Sequence, residues 1–430
     1  MLSPAPLFAQ TVGSSASVAA PAVLPDGRSV AGLATPLSAA PRWLRPGQEQ
    51  AAADLVALMA ASRVDGLDPR RYRTKELQRA LRAAWGGSPL AAQRAERLLS
   101  DAFVDYVRDL RQGPDLGIIY VDPQLRSQAL DARAILEGAA RQADLVRYVQ
   151  TMGWMHPYYA PLRNALTDGG HDQQQRALLA LNLERVRALP GSEAGRYVLM
   201  NAAQQRLFMM ERGEVVDMMR VVVGKPVHAT PMMAALIRYT SLNPYWNVPP
   251  DLVAERVAPF VLKEGIGFLK AKGYQVLSDW GDAPEVVDPR TVDWKAVAAG
   301  TREIRVRQLP GPANGMGAMK FMFPNPQGIY LHDTPSTELF SEASRLFSGG
   351  CVRLEAAPRL AAWLYNGRAP KAQGAKPEQK VMLDKPVPVY LTYLTAVPSG
   401  SSVAFYQDIY GRDASRLAQL GGSAVLASRR

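Results

Sequence analysis

The chain has 430 residues and a mass of 46.8 kDa, more than one hydrophobic core usually organises, so two or three domains are expected. Its 47% hydrophobic, 21% charged and 8% aromatic residues exclude a mostly disordered, collagen-like or coiled-coil protein. Lys and Arg total 50 against 39 Asp and Glu, and this net charge of +11 favours a polyanionic partner: nucleic acid, a membrane surface or an anionic cell-wall polymer. A generally basic soluble protein is the alternative.

The first 46 residues are rich in Ala, Ser, Pro and Val and show no periodic pattern. They predict a disordered N-terminal segment or the remnant of a signal peptide whose true start is missing. No run approaches the roughly 18 to 20 apolar residues of a transmembrane helix, so no transmembrane span is expected.

Apolar residues at helical spacing dominate residues 47–192, which predicts an all-α domain. Leu98, Ala102, Tyr106 and Leu110 recur every four residues and give the clearest helix. Helical stretches are predicted from about residue 48, after Ser88-Pro89, and over 132–152, 161–167 and 173–189.

Residues 193–398 are rich in β-branched and aromatic residues and predict a mainly β domain. Strands are predicted over 197–200, 205–211, 214–223, 234–242, 319–323, 328–332 and 387–394, with one helix over 355–365. Residues 251–310 break this pattern with an amphipathic helix over 252–273 and a polar stretch, so we expect an inserted segment. Residues 399–430 form a C-terminal extension. The predicted fold class is therefore α+β.

Several kinds of site lack support in the sequence. There is no glycine-rich phosphate loop and no recognised nucleic-acid motif, so no nucleotide cofactor and no nucleic-acid partner is predicted. The single cysteine and the scattered His156, His171 and His228 lack metal-ligand spacing, so no metal is predicted.

Cys351 and His332 stand out as candidates for nucleophilic catalysis. A catalytic cysteine needs a base within hydrogen-bond reach and backbone donors for the developing oxyanion. His332 ends a predicted strand, and Cys351 follows two glycines that can turn backbone amides toward one point. Taken singly, a lone Cys or His is more often structural. The Cys follows the His in the chain, which disfavours a papain-like protease.

The combination resembles the signature of the L,D-transpeptidases with a YkuD-type catalytic domain. That signature is a His with a Thr two residues later, followed by Ser-x-Gly-Cys-x-Arg; the matching residues are His332, Thr334, Ser348, Gly350, Cys351 and Arg353. Residues 220–226, 243–249 and 408–413 resemble the larger, Gram-negative periplasmic branch, which carries a helical scaffold domain and a lid insertion. Residues 251–310 would then be a helical lid.

The resemblance implies a cysteine acyl-transfer cycle on peptidoglycan tetrapeptide stems, which serve as donor and acceptor. Cys351 would attack the carbonyl between diaminopimelate and terminal D-Ala, His332 would transfer the proton, and a second diaminopimelate amine would resolve the thioester into a 3-3 cross-link. No cofactor is needed. Carbapenems are implied as inhibitors, wall synthases as candidate partners, and the periplasm as the location.

Other residues take roles from the same resemblance. The amides of Gly350 and Cys351 are candidate oxyanion donors, Ser348 is expected to orient the turn, and Arg353 is expected to anchor a carboxylate or to form a structural ion pair. Gly349 stands where many members carry a second His, and its carbonyl is expected to orient His332. Substrate-binding residues are predicted to be Tyr330, Trp246, Tyr245, Asn243 and Thr334, with ordinary core aromatics as the alternative for Tyr330 and Trp246.

Three functions remain open at this point. The first is a transpeptidase, and the second is a hydrolase on the same scaffold that trims stems or detaches wall-linked proteins. The third is a non-catalytic wall-binding protein, which the His332 and Cys351 pair disfavours. The choice between the first two depends on how much water reaches the thioester.

Overall fold

The computed structural model describes residues 43–126, 130–281 and 283–427, with side chains described as far as residue 419. The predicted N-terminal segment therefore lies almost entirely outside the described residues. Within them, a helical half precedes a mainly β half that carries an insertion, and the predicted α+β class is confirmed.

The helical half is organised by one apolar core that includes Trp43, Phe103, Tyr106 and Tyr159. Its helices are α1 (Glu49–Ala60), α2 (Thr74–Trp85), α3 (Pro89–Arg111), α4 (Ala132–Ala140), α5 (Leu145–Gln150), α6 (Tyr159–Thr167) and α7 (Gln173–Val186). The helix predicted over 132–152 is two helices, because the Asp144 side chain accepts the Arg147 amide and starts α5 anew. Helix α2 was not predicted.

The β half is built on strands β1 (Ile119–Tyr120), β2 (Arg196–Asn201), β3 (Arg206–Glu211), β4 (Glu214–Gly224), β5 (Met233–Leu242), β10 (Met319–Met322), β11 (Leu331–His332), β12 (Leu346–Ser348), β13 (Val352–Leu354) and β14 (Gln379–Thr392). Their order is β1-β5-β10-β11-β13-β4-β3-β2-β14, and β14 also pairs with β5. The pairings from β5 to β14 therefore form a closed ring, which leaves fewer unpaired edges than an open sheet.

Successive side chains along a strand point to opposite faces, and this determines which core each of them packs into. In β2, Val198 and Met200 belong to the core enclosed by the sheet, whereas Tyr197 and Leu199 belong to the core of the helical half. This period of two is the pattern of a strand buried on both faces. Helix α12 (Ala357–Leu364) packs its apolar residues into the sheet core.

The insertion is a small unit with its own apolar core, and we call residues 246–308 the lid. It contains β6 (Trp246–Val248), α8 (Pro250–Arg256), α9 (Ala258–Glu264), α10 (Gly267–Ala271), β7 (Tyr274–Leu277), β8 (Val286–Val287), α11 (Trp294–Ala298) and β9 (Arg305–Gln308). Its strands form a four-stranded sheet in the order β6-β9-β7-β8, so the lid is not helical alone.

The single helix predicted over 252–273 is three short helices, α8 to α10. Gly265 adopts a φ of 80°, which ends α9. Pro259 lies in the first turn of α9, where its missing amide hydrogen costs nothing, so it favours a new helix start after α8.

Two segments connect the halves. Strand β1 leaves the helical half and pairs in parallel with β5, so that half is not entirely helical. The C-terminal part contains β15 (Ala396–Ser399), β16 (Ser402–Phe405) and α13 (Arg412–Ala427), and it is fixed to α7 by a buried ion pair, Arg185 to Asp413, at 2.5 Å.

None of the helices in the described ranges combines the length and apolar character needed to cross a bilayer.

Candidate active site

Three neighbouring strands place one row of polar side chains across the sheet. His332 on β11 pairs with Lys320 on β10 and, in the parallel direction, with Arg353 on β13. Directly paired residues share a face, so Lys320, His332 and Arg353 project from the same side of the sheet. The opposite side, with Leu331, Val352 and other apolar residues, faces the sheet core.

Cys351 lies next to this row. It directly precedes β13, as Tyr330 directly precedes β11, and the Val352 amide donates to the Tyr330 carbonyl at 2.9 Å. Because side chains alternate, Cys351 lies on the same face as Arg353, and Tyr330 on the same face as His332. The Cys351 thiol donates to the Gly328 carbonyl oxygen, with Sγ 3.5 Å away.

A backbone carbonyl orients His332. Its Nδ1 lies 2.6 Å from the Asp333 carbonyl oxygen, and since a carbonyl only accepts, Nδ1 carries the proton and Nε2 keeps the lone pair. The expectation that the Gly349 carbonyl would do this is wrong. The Asp333 carboxylate instead accepts the Ala318 amide at 2.8 Å and holds the strand end.

His332 is neutral near pH 7. The residue is 4% exposed, and burial, helped by the Arg353 and Lys320 charges, lowers its pKa to about 3. Burial also raises the pKa of the Cys351 thiol, against the effects of the Tyr330 amide and the Arg353 charge. The resting pair is therefore a neutral imidazole and a neutral thiol, not an ion pair.

A tight turn before Cys351 is held by one serine. Buried Ser348 accepts the Gly350 amide at 3.1 Å and donates to the Cys351 carbonyl at 2.5 Å. Gly350 has a φ of +111°, a conformation that side-chain-bearing residues rarely adopt. Ser348, which is predicted to orient the turn, makes both of these contacts.

The Gly350 amide is thereby occupied, so it is not a free oxyanion donor in this state. The Cys351 amide has no acceptor within the described parts of the chain, and it remains available for a developing oxyanion. The predicted pair of donors is reduced to one.

Thr230 braces the same turn from the other side. It is fully buried, and its hydroxyl accepts the Gly224 amide at 2.9 Å and donates to the Gly350 carbonyl at 2.8 Å. Tyr410 supports this arrangement, because its hydroxyl donates to the Gly224 carbonyl at 2.8 Å. These roles were not predicted, although both residues lie in or beside the segments that carried the resemblance.

Arg353 is an unpaired cation within the site. Its Nε is buried without a hydrogen-bond partner, and no carboxylate lies within 4.0 Å of its guanidinium in the described ranges. The alternative of a structural ion pair therefore lacks a partner there. Lys320 is 13% exposed and is paired with Glu378 at 2.9 Å. The Arg353 guanidinium, with its Nε unpartnered, suits an incoming carboxylate.

The lid contacts the turn that precedes Cys351 through α8. Arg256 donates to the Phe347 carbonyl at 3.1 Å, and Lys225, whose amide donates to the Ser348 carbonyl, forms an ion pair with Glu255. The His228 ring lies between two α8 carboxylates, 3.6 Å from Asp251 and 3.5 Å from Glu255.

The predicted substrate-binding residues separate into two groups. Tyr330 is half-buried beside Cys351, and burial and the neighbouring thiol raise its pKa. Trp246 packs against Gly315 and Tyr274 in the lid. Tyr245 lies under the Arg307 guanidinium at 4.3 Å, the Asn243 side chain donates to the Gly374 carbonyl, and Thr334 accepts the Ser336 amide. Of the five, only Tyr330 is brought to the thiol by these contacts.

The chemistry available at this site uses protein side chains. Within the described residues no cluster of three or more His, Cys, Asp or Glu side chains is suited to hold a metal ion. The fold therefore places a cysteine and a histidine on one face of two parallel strands, beside a turn that the inserted lid contacts.

Comparison with known proteins shows what this arrangement is similar to. Residues 195–389 match the L,D-transpeptidase catalytic domain, YkuD, and residues 37–166 match the Scaffold domain. A "Putative L,D-transpeptidase" of Haemophilus influenzae is 29% identical over 330 residues, which is 74% of this chain. The chain spans 66% of that relative's length, just under two thirds. The mainly β part of the chain is therefore similar to an L,D-transpeptidase catalytic domain.

Proposed function

We propose that the protein is a peptidoglycan L,D-transpeptidase that forms 3-3 cross-links through a Cys351 thioester. The observation that carries this proposal is the neutral His332, with its Nε2 lone pair free, on the same sheet face as the only cysteine. A general base must be deprotonated at working pH, and His332 meets this condition.

In the first half of the cycle, Cys351 Sγ attacks the carbonyl between diaminopimelate and D-Ala while its proton moves to His332. The Cys351 amide donates to the oxyanion. Collapse breaks the C–N bond, the leaving D-Ala amine takes the proton from His332, and an acyl thioester remains.

In the second half, the side-chain amine of another diaminopimelate attacks the thioester. His332 accepts the amine proton and returns it to the departing thiolate, so the enzyme regains its starting protonation state. Attack by water in this step would give the hydrolase, and a closed lid that excludes water favours the amine.

The charge of the site supports a carboxylate-bearing substrate. Arg353 has no acidic partner within the described residues, burial and the nearby Arg256 charge lower its pKa, and Lys320 flanks His332. Diaminopimelate and the terminal D-Ala both carry carboxylates, and a guanidinium binds such a group in two-point fashion. We place the protein in the periplasm, where wall stems and wall synthases would meet it.

Acylation by a carbapenem tests the nucleophile. The wild-type protein is expected to gain the mass of one opened carbapenem, because the thiol attacks the β-lactam carbonyl as it would attack the stem carbonyl. Intact-protein mass spectrometry of wild type and Cys351→Ala measures this. Uptake of the drug by Cys351→Ala would contradict the assignment.

A further inference from the structure

The lid reaches the turn over residues 348–351, which we call the nucleophile turn, through one leucine. Leu252 on α8 is 6% exposed and belongs to the lid core, yet its methyl groups lie directly over Gly349. A Cβ placed on Gly349 would lie 2.7 Å from Leu252 Cδ1 and 3.2 Å from Cδ2, well inside van der Waals contact.

The backbone at Gly349 does not itself require glycine. Its φ lies outside the positive range, in contrast to the +111° of the neighbouring Gly350. Steric contact with Leu252 is therefore the physical constraint on a side chain at this position. The leucine occupies the volume that a residue at 349 would need.

The contact between Leu252 and Gly349 is one of several, because two further interactions join α8 to the turn. Arg256 donates to Phe347, and the Lys225 ion pair with Glu255 joins the helix to the strand that borders Ser348. A displacement of α8 would therefore move the packing above Gly349, one residue from the Gly350 amide that Ser348 holds.

We propose that Leu252 is a positioning residue for Cys351: by packing on Gly349, it couples the position of the lid to the geometry of the nucleophile turn. The proposal rests on Cys351 being the reactive thiol of the proposed function. Lid closure over a bound stem then tightens the turn at the moment of attack, and lid opening releases it.

This coupling is tested by enlarging the side chain at position 349, shortening the one at position 252, and combining the two changes. The readout is the second-order rate of Cys351 alkylation by iodoacetamide from pH 6 to 10 in the full chain, which reports the thiol whether or not cross-linking occurs. Gly349→Ala is expected to lower the rate at pH 7.5 roughly tenfold, because the displaced turn removes Sγ from the Tyr330 amide and raises the apparent thiol pKa.

Leu252→Ala is expected to lower the rate roughly threefold, because the turn loses its packing. The double variant Leu252→Ala/Gly349→Ala should react faster than either single variant and with the wild-type apparent pKa, since the new methyl group fills the vacated space. Leu269→Ala, which removes an equally buried leucine from the same lid core, should leave rate and pKa unchanged.

Two results would overturn the proposal: a Gly349→Ala variant that reacts like wild type, or a double variant no faster than Gly349→Ala. The cross-linking assay is run on the same proteins. Absence of product from wild type, with the alkylation pattern intact, would reject the proposed function and leave the coupling standing.

Discussion

A His332→Asn variant is expected to lose between about 10² and 10⁴ in kcat/KM for acylation of Cys351. Asparagine keeps a polar group at this position but cannot accept the thiol proton. His171→Asn is the matched control, because His171 lies in the helical half, where it contacts Gln175 and Phe405, and its replacement should leave the rate unchanged. Stopped-flow measurement of acylation gives both values.

The wild-type pH profile should differ from that of an ordinary histidine base. Because the pKa of His332 is about 3, the imidazole stays unprotonated throughout the mildly acidic range. The value of kcat/KM, which reports the free enzyme, should therefore stay nearly constant from pH 7.5 down to about 5. A decline centred near pH 6.5, or a His332→Asn variant within threefold of wild type, would contradict the assigned role.

Arg353→Gln is expected to lower kcat/KM for a carboxylate-bearing stem by about 10- to 100-fold, the range for loss of a charge-assisted hydrogen bond. The unpartnered Nε of Arg353 is the reason to expect this effect. On stems whose carboxylates are amidated, the substitution should lower kcat/KM little, because these stems lack the anion that Arg353 would bind. Arg359→Gln removes a surface arginine paired with Asp217 and serves as the control.

The same variant should change the pH profile. The Arg353 charge is the second cause of the low His332 pKa, so its removal raises that pKa toward the ordinary value of 6.5. Acylation by Arg353→Gln should then decline at a higher pH than in wild type. An equal loss of kcat/KM on amidated and free stems, with no change in the pH at which acylation declines, would show that Arg353 is structural.

Local patterns were sufficient for much of the fold. Arg212 and Gly213 form the two-residue loop of a hairpin between β3 and β4. Their φ values of 49° and 80° are both positive, as a tight loop of this length favours. The lid was harder to predict, because its short strands pair over long sequence distances and their two- to four-residue lengths give little periodicity. The pairing of β1 with β5 is likewise set by tertiary contacts.

The candidate site, too, could be predicted only in part from the sequence. His332 and Cys351 could be identified from the sequence signature. The Asp333 carbonyl that orients the imidazole could not, because any residue at that position supplies a backbone carbonyl. The Ser348 hydroxyl that occupies the Gly350 amide depends on the turn geometry. Lys320 became part of the site only through its register with His332.

Product analysis tests the central proposal most directly. The protein is incubated with purified disaccharide-tetrapeptide, with Cys351→Ala as the control, and the products are identified by mass spectrometry. We expect a cross-linked dimer that has lost one D-Ala, formed only by the chain with an intact thiol. Disaccharide-tripeptide alone would identify a hydrolase, and product formation by Cys351→Ala would contradict the thioester mechanism.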